Sequence, residues 1–158
     1  MDGGSAPLLG LALRQVPQNL QAEQSVLGGI MANSKNLCAV GDFLRPEHFA
    51  DALHGGIFAE QSRRILAGGI ADAVSLKTWF DSDPDVAGAG GVGFLAGLIA
   101  SYVGPGTVGP YGRAIHDAYL RREIIAAGDD VVNAGFDHEC TPAEGVAMAI
   151  YCRGRHGG

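Results

Sequence analysis

Apolar residues recur along this chain at helical spacing, and the longest such stripes are separated by glycine and proline. Ala22, Val26 and Ile30, with Leu27 and Met31 beside them, make one face of a helix over Leu20–Ala32, and Asn19 before it carries a side-chain oxygen that can take up free N–H groups of the first turn. Asn33-Ser34 breaks that helix, and a short helix around Leu37–Val40 leads into Phe43-Leu44. Pro46 sits at a first helical position in the turn Arg45–Phe49, after which Leu53, Ile57, Phe58, Ile65 and Leu66 predict a longer helix stopped by Gly68-Gly69.

Ser75 is the expected cap of the next helix, Leu76–Phe80, which the acidic turn Asp81–Asp85 closes. A glycine-rich loop, Gly88–Gly93, then precedes a helix through Phe94, Leu95, Leu98 and Ile99. The segment Gly104–Pro110 holds two prolines among three glycines, and it predicts a border. Beyond it Tyr111–Ala134 is proline-free and predicts the longest helix, with Leu120, Ile124, Ala127, Val131 and Ala134 spaced by four, three, four and three. Thr141-Pro142-Ala143-Glu144 starts one more helix as a capping box, whose apolar stretch Val146–Tyr151 gives way at Arg153–Gly158.

The fold class is therefore all-α: a flexible leader over residues 1–16, a compact helical head over 17–104, a long helix and truncated helical hairpin over 105–152, and a tail over 153–158. No internal repeat is visible. The short apolar patch Leu8–Leu13 follows Asp2 without a cationic stretch, so it is read as a weak docking segment or a cloning artefact and not as a secretory signal. No run approaches the ~20 apolar residues of a membrane span, so no membrane partner is expected.

Composition adds two constraints. The 158 residues suit one core that needs no disulfide or metal, but 25 glycines weaken local helix stability. A net charge of -6, with Lys35 and Lys77 the only lysines, argues against gripping nucleic acid by bulk electrostatics and favours a protein partner. Cys38, Cys140 and Cys152 are odd in number and far apart, which fits a reducing cytoplasm and neither a disulfide framework nor a zinc pair.

The order of short motifs carries more information. Ala22-Glu23-Gln24 and Val26-Leu27-Gly28 are followed by Leu44-Arg45-Pro46-Glu47-His48-Phe49, by His54 with Ile57-Phe58, and by Asp72 with Val74-Ser75-Leu76. Then come Gly90-Gly91 with Phe94-Leu95 and Leu98, Tyr111-Gly112-Arg113-Ala114-Ile115, and Leu120-Arg121-Arg122-Glu123-Ile124-Ile125. The series resembles the N-terminal domain of DnaB-type replicative DNA helicases, with its L-x-P-E-x-F, H-x-x-I-F, D-x-V-T-L, G-G-x-x-Y-L-x-x-L and Y-x-x-x-I…L-R-R-x-L-I patterns, over about Pro17–Phe136 and more faintly to Tyr151. Gly55-Gly56 departs from the family, which more usually has a larger polar residue beside the histidine.

That resemblance implies a helical head joined to a hairpin. It also implies a non-catalytic role in assembly and docking within the primosome: a collar of dimers or hexamers, a surface for primase, association with full-length replicative helicase, and contact with DNA only through the assembled ring. The family continues into a RecA-like ATPase, where ATP and Mg would bind. This chain contains no G-x-x-x-x-G-K-[ST], so ATP hydrolysis by it is unsupported and no cofactor is expected. A free-standing or truncated regulator that co-assembles with a full-length ring is the alternative.

The remaining candidates are weighed on their chemistry. His54 is read as a core or boundary histidine bonded to a backbone group. His138, Glu139 and Cys140 lack a second ligand pair, so neither a metal site nor hydrolase chemistry at His138 and Cys140 is favoured. Asp81, Asp83 and Asp85 lack the glycine turn and distal glutamate of a calcium loop. Arg121 and Arg122 are read with Glu123 as solvated helix-surface charges. The stripe Leu120, Ile124, Ala127, Val131 and Ala134, flanked by Arg121 and Arg122, is the expected oligomer or partner interface, because a hairpin cannot bury both arms' apolar faces alone. No catalytic or metal residue is expected.

Overall fold

The Asn19 side chain accepts a hydrogen bond from the Ala22 N–H (3.0 Å) and opens helix α1, Leu20–Ala32. A computed structural model of the chain describes residues 14–155. Nearly all of the leader and the end of the tail lie outside these residues. No strand occurs among them, and the all-α class holds.

After α1 come a 3-10 segment at Ser34–Ala39 and a 3-10 turn at Pro46–His48, then α2, Ala52–Leu66, and α3, Ala73–Ser82. The short α4, Pro84–Ala87, follows, and then α5, Gly91–Ala100, α6, Val108–Phe136, and α7, Pro142–Arg155. One compact unit ends at Tyr119 and a second begins at Leu120, so the division falls inside α6 and not at Gly104–Pro110.

In the first unit α1 is the central element. Its Val26, Leu27 and Ile30 are wholly buried and join Leu44, Ile57, Leu76, Phe80, Leu95 and Leu98 in one core. Each such side chain contributes about 1.5–3 kcal/mol on burial. Helix α1 packs tightly on α5 because Gly28 has no side chain: a Cβ there would stand 2.0 Å from the Leu98 carbonyl oxygen. The unusual Gly55 has a similar reason, since its Cβ would meet the Pro46 carbonyl oxygen at 2.6 Å. Both glycines let backbone approach backbone, which offsets their helix cost of about 1 kcal/mol.

Several boundaries differ from the sequence reading. Helix α3 starts three residues earlier than a Ser75 cap allows, because Asp72 is its cap and accepts from the Ser75 N–H at 2.7 Å. Helix α5 begins within the glycine-rich stretch, at Gly91. Gly109 and Pro110 belong to the first turn of α6, where a missing N–H costs nothing because no helical acceptor exists for it. Helix α7 continues through Gly154 to Arg155, since one glycine's propensity penalty does not outweigh a continuing hydrogen-bond ladder.

His54 corrects a further expectation. Its Nδ1 lies 2.8 Å from the Glu23 carboxylate, not against a backbone group, and both side chains are buried. The same carboxylate accepts the Ala50 N–H at 2.7 Å and the Asp51 N–H at 3.4 Å. Glu23 thus ties α1 to the turn that starts α2. Gln61, also buried, adds a second tie by donating to the Leu27 carbonyl at 3.0 Å.

Candidate assembly surface

The second unit consists of the later turns of α6, the connection at Asp137–Thr141 and helix α7. The helix persists because Leu120–Phe136 contains no proline, and its first turns, Leu120–Ala127, hold good helix formers in Leu120, Arg121, Arg122, Glu123, Ala126 and Ala127. Its connection is ordered locally: the Asp137 carboxylate accepts the Glu139 N–H (2.9 Å), and the Thr141 hydroxyl and N–H both donate to Glu144 at 2.7 and 2.8 Å. In return the Glu144 N–H reaches the Thr141 hydroxyl at 3.4 Å, completing the capping box. The Thr141 hydroxyl, then its N–H, hold the Glu144 carboxyl below the usual carboxylate range.

Local order is not matched by a core. None of the residues from 120 to 155 whose side chains are described is buried. The predicted stripe divides in two. Leu120 and Ile124 are 40% and 52% exposed, whereas Ala127, Val131 and Ala134 are half-buried. Val131 and Ala134 line a cleft of about 500 Å³ together with Val146 and Ala149 of α7. Arg121 is exposed and Arg122 half-buried.

A second stripe escaped the sequence reading. Ile125, Val132 and Phe136 are exposed, Phe136 to 81%, and their spacing of seven and four places them together on another side of the helix. That spacing was the available signal. Helix α7 adds exposed Val146, Ile150 and Tyr151. The unit is therefore apolar on more than one side, and each exposed stripe is surface that association could remove from water.

Of the other candidates, His138 and Cys140 line the same cleft as Val131 and Ala134. Cys140 is half-buried with Sγ 3.6 Å from the Thr141 carbonyl oxygen. Among the described residues no group of three or more His, Cys, Asp or Glu side chains is placed to hold a metal ion. Asp81 pairs with Lys77 one turn away. No helix among the described residues is long and apolar enough to cross a membrane.

Comparison with known proteins decides the family. Residues 15–117 match the DnaB-like helicase N terminal domain. This chain belongs to that family. The replicative DNA helicase DnaB of Rickettsia prowazekii is 35% identical over 124 residues, covering 78% of this chain and 26% of that protein. DnaB of Nostoc sp. is 29% identical over 126 residues, covering 80% of this chain and 14% of its own length. The chain thus spans about a quarter or less of the curated relatives it matches.

Among solved structures, the N-terminal domain of DnaB helicase from Mycobacterium tuberculosis superposes with a TM-score of 0.79 at 30% identity, over 87% of this chain and 97% of that one. A DnaB-like replicative helicase, described with its interactions with primase, shares the fold with a TM-score of 0.65 at 23% identity, over 85% of this chain and 31% of its own. The family match ends at residue 117, in the part of α6 that packs in the head through Gly112 and Ile115.

Proposed function

We propose that this DnaB N-terminal domain is a non-catalytic assembly and primase-docking module of a replicative DNA helicase. In this reading Leu120, Ile124, Ala127, Val131 and Ala134, flanked by Arg121 and Arg122, meet a second copy and build a dimeric or hexameric collar. The observation that carries it is the uncored second unit: residues 120–155 form two helices yet bury no described side chain. A helix as short as α7, 14 residues, is marginal in water without tertiary packing. A second copy supplies that packing most directly, since each copy offers the same unburied stripes.

Family membership and the solved DnaB-like helicase described with primase support the primase-docking part of this reading. The formal charge of -6 supports a protein partner over direct DNA binding, with DNA engaged only through the assembled ring of the full-length helicase. ATP and Mg would act in the motor domain of such a helicase.

Light scattering over a concentration series tests assembly, and titration of labelled primase tests docking. A dimer or hexamer that retains primase supports the proposal. A strict monomer at every concentration overturns the collar, and an assembly that ignores primase overturns the docking role.

A further inference from the structure

Gly112 and Ile115 of α6 are buried in the head, where a Cβ on Gly112 would stand 2.4 Å from Val40 Cγ1. One turn further on, the rings of His116 and Tyr119 lie against the ring of His48, with centroids 4.9 and 4.5 Å away. His48 is 8% exposed and belongs to the Pro46–His48 turn. Tyr119 is the last residue of the first unit, so two titratable rings stand where that unit ends.

The bond that His48 makes requires its neutral form. Its Nδ1 accepts the Arg45 N–H at 3.0 Å, which needs a lone pair on that nitrogen and puts the proton of the neutral ring on Nε2. An imidazolium carries N–H on both nitrogens and cannot accept, so protonation breaks this bond and strands a part-buried donor. A charged His48 also meets His116, itself titratable, and the Arg113 guanidinium lies over the Phe43 ring that approaches His116 edge-on at 6.1 Å.

Other charges around the pair offset little of this. The Arg45 guanidinium is turned to the carbonyls of Gly41, Asp42 and Leu44, and the Asp42, Glu47 and Asp117 carboxylates are exposed, where solvent screens them. On and before α2, which packs against the turn, Asp51 accepts from the Leu53 and His54 N–H groups, His54 is bonded to Glu23, and Glu60 to Arg63 and Arg64. The Tyr119 ring face attracts a cation, but the second imidazole and the stranded N–H oppose one.

We propose that His48 and His116 form a pH-sensitive clasp between the Pro46–His48 turn and α6, closed while both rings are neutral and opened by protonation of His48 as pH falls through the range in which histidine changes charge. The neutral folded form carries the stabilisation, so it is complete at neutral pH and lost on acidification. Glu60 and Glu144, held below the usual carboxylate range, respond only at lower pH.

NMR on the full chain tests this. Long-range proton–nitrogen spectra at neutral pH are expected to show His48 with its proton on Nε2; a proton on Nδ1 overturns the clasp without any variant. Amide exchange, corrected for intrinsic rates, is then compared at about pH 7.5 and about pH 5.5, either side of the histidine range. Protection of the Arg45 N–H and of residues 116–119 is expected to fall roughly tenfold at the lower pH. His48→Asn keeps an oxygen acceptor that takes no proton, and His116→Phe keeps a ring without the charge, so the fall should vanish in the first and shrink in the second. Unchanged protection in the parent chain, an equal fall in either variant, or a fall at Ala50 and Asp51 instead, which bond to Glu23 beside His54, overturns the proposal.

Discussion

The Glu23 carboxylate and the His54 imidazole, 31 positions apart in sequence, meet at 2.8 Å with side chains 1% and 2% exposed. Because Glu23 also accepts from Ala50 and Asp51, its replacement strands three polar groups at once. Glu23→Ala is expected to destabilise the fold by about 3–5 kcal/mol, and His54→Ala by less, since it leaves the carboxylate its two backbone donors. Urea midpoints at unchanged slope measure both. Equal losses for the two variants would show that the backbone bonds add nothing.

Two glycines in helix interiors are expected to respond in opposite ways. Gly28→Ala drives a methyl into the Leu98 carbonyl and should cost about 1–3 kcal/mol. Gly56→Ala meets nothing within 4 Å and should stabilise by about 0.5–1 kcal/mol through helix propensity. Thermal denaturation of the two variants gives the signs.

Glu60 sets an acid limit on stability. Hydrogen bonds from Arg63, and then from Arg64, outweigh burial and lower its pKa from 4.5 to about 2. The folded state therefore holds this proton less readily than the unfolded chain. The resulting stability is complete above pH 4.5 and is lost as pH falls through about 2. Arg63 is largely exposed, so solvent screening keeps the contribution modest. Glu60→Gln should flatten the stability profile across that window in acid titrations followed by circular dichroism.

Ile124→Asp places a carboxylate in the exposed stripe of α6. In the proposed assembly that charge is desolvated without a partner, so the scattering mass should fall to the monomer while the helical signal and near-UV signature of the head are kept. Assembly that survives the substitution would remove Ile124 from the interface and leave Ile125, Val132 and Phe136 as the stripe to test.

Helix existence was legible in the sequence because its signals are local. Asn19 and the Thr141–Glu144 box accept from N–H groups three residues away, Pro46 fixes its own φ at a helix start, and the apolar spacing of α1 requires no knowledge of what it faces. The ordered motifs likewise identified the family. Contacts between distant positions were not legible: nothing near His54 announces Glu23, and nothing near Gly28 announces the Leu98 carbonyl. The stripe from Leu120 to Ala134 shows the same limit, because spacing puts five residues on one helix face, but only packing separates Val131 and Ala134, which line the cleft, from Leu120 and Ile124, which face solvent. Helical order follows from short-range bonding along the chain, whereas burial depends on which other surfaces arrive, and that is settled by tertiary structure alone.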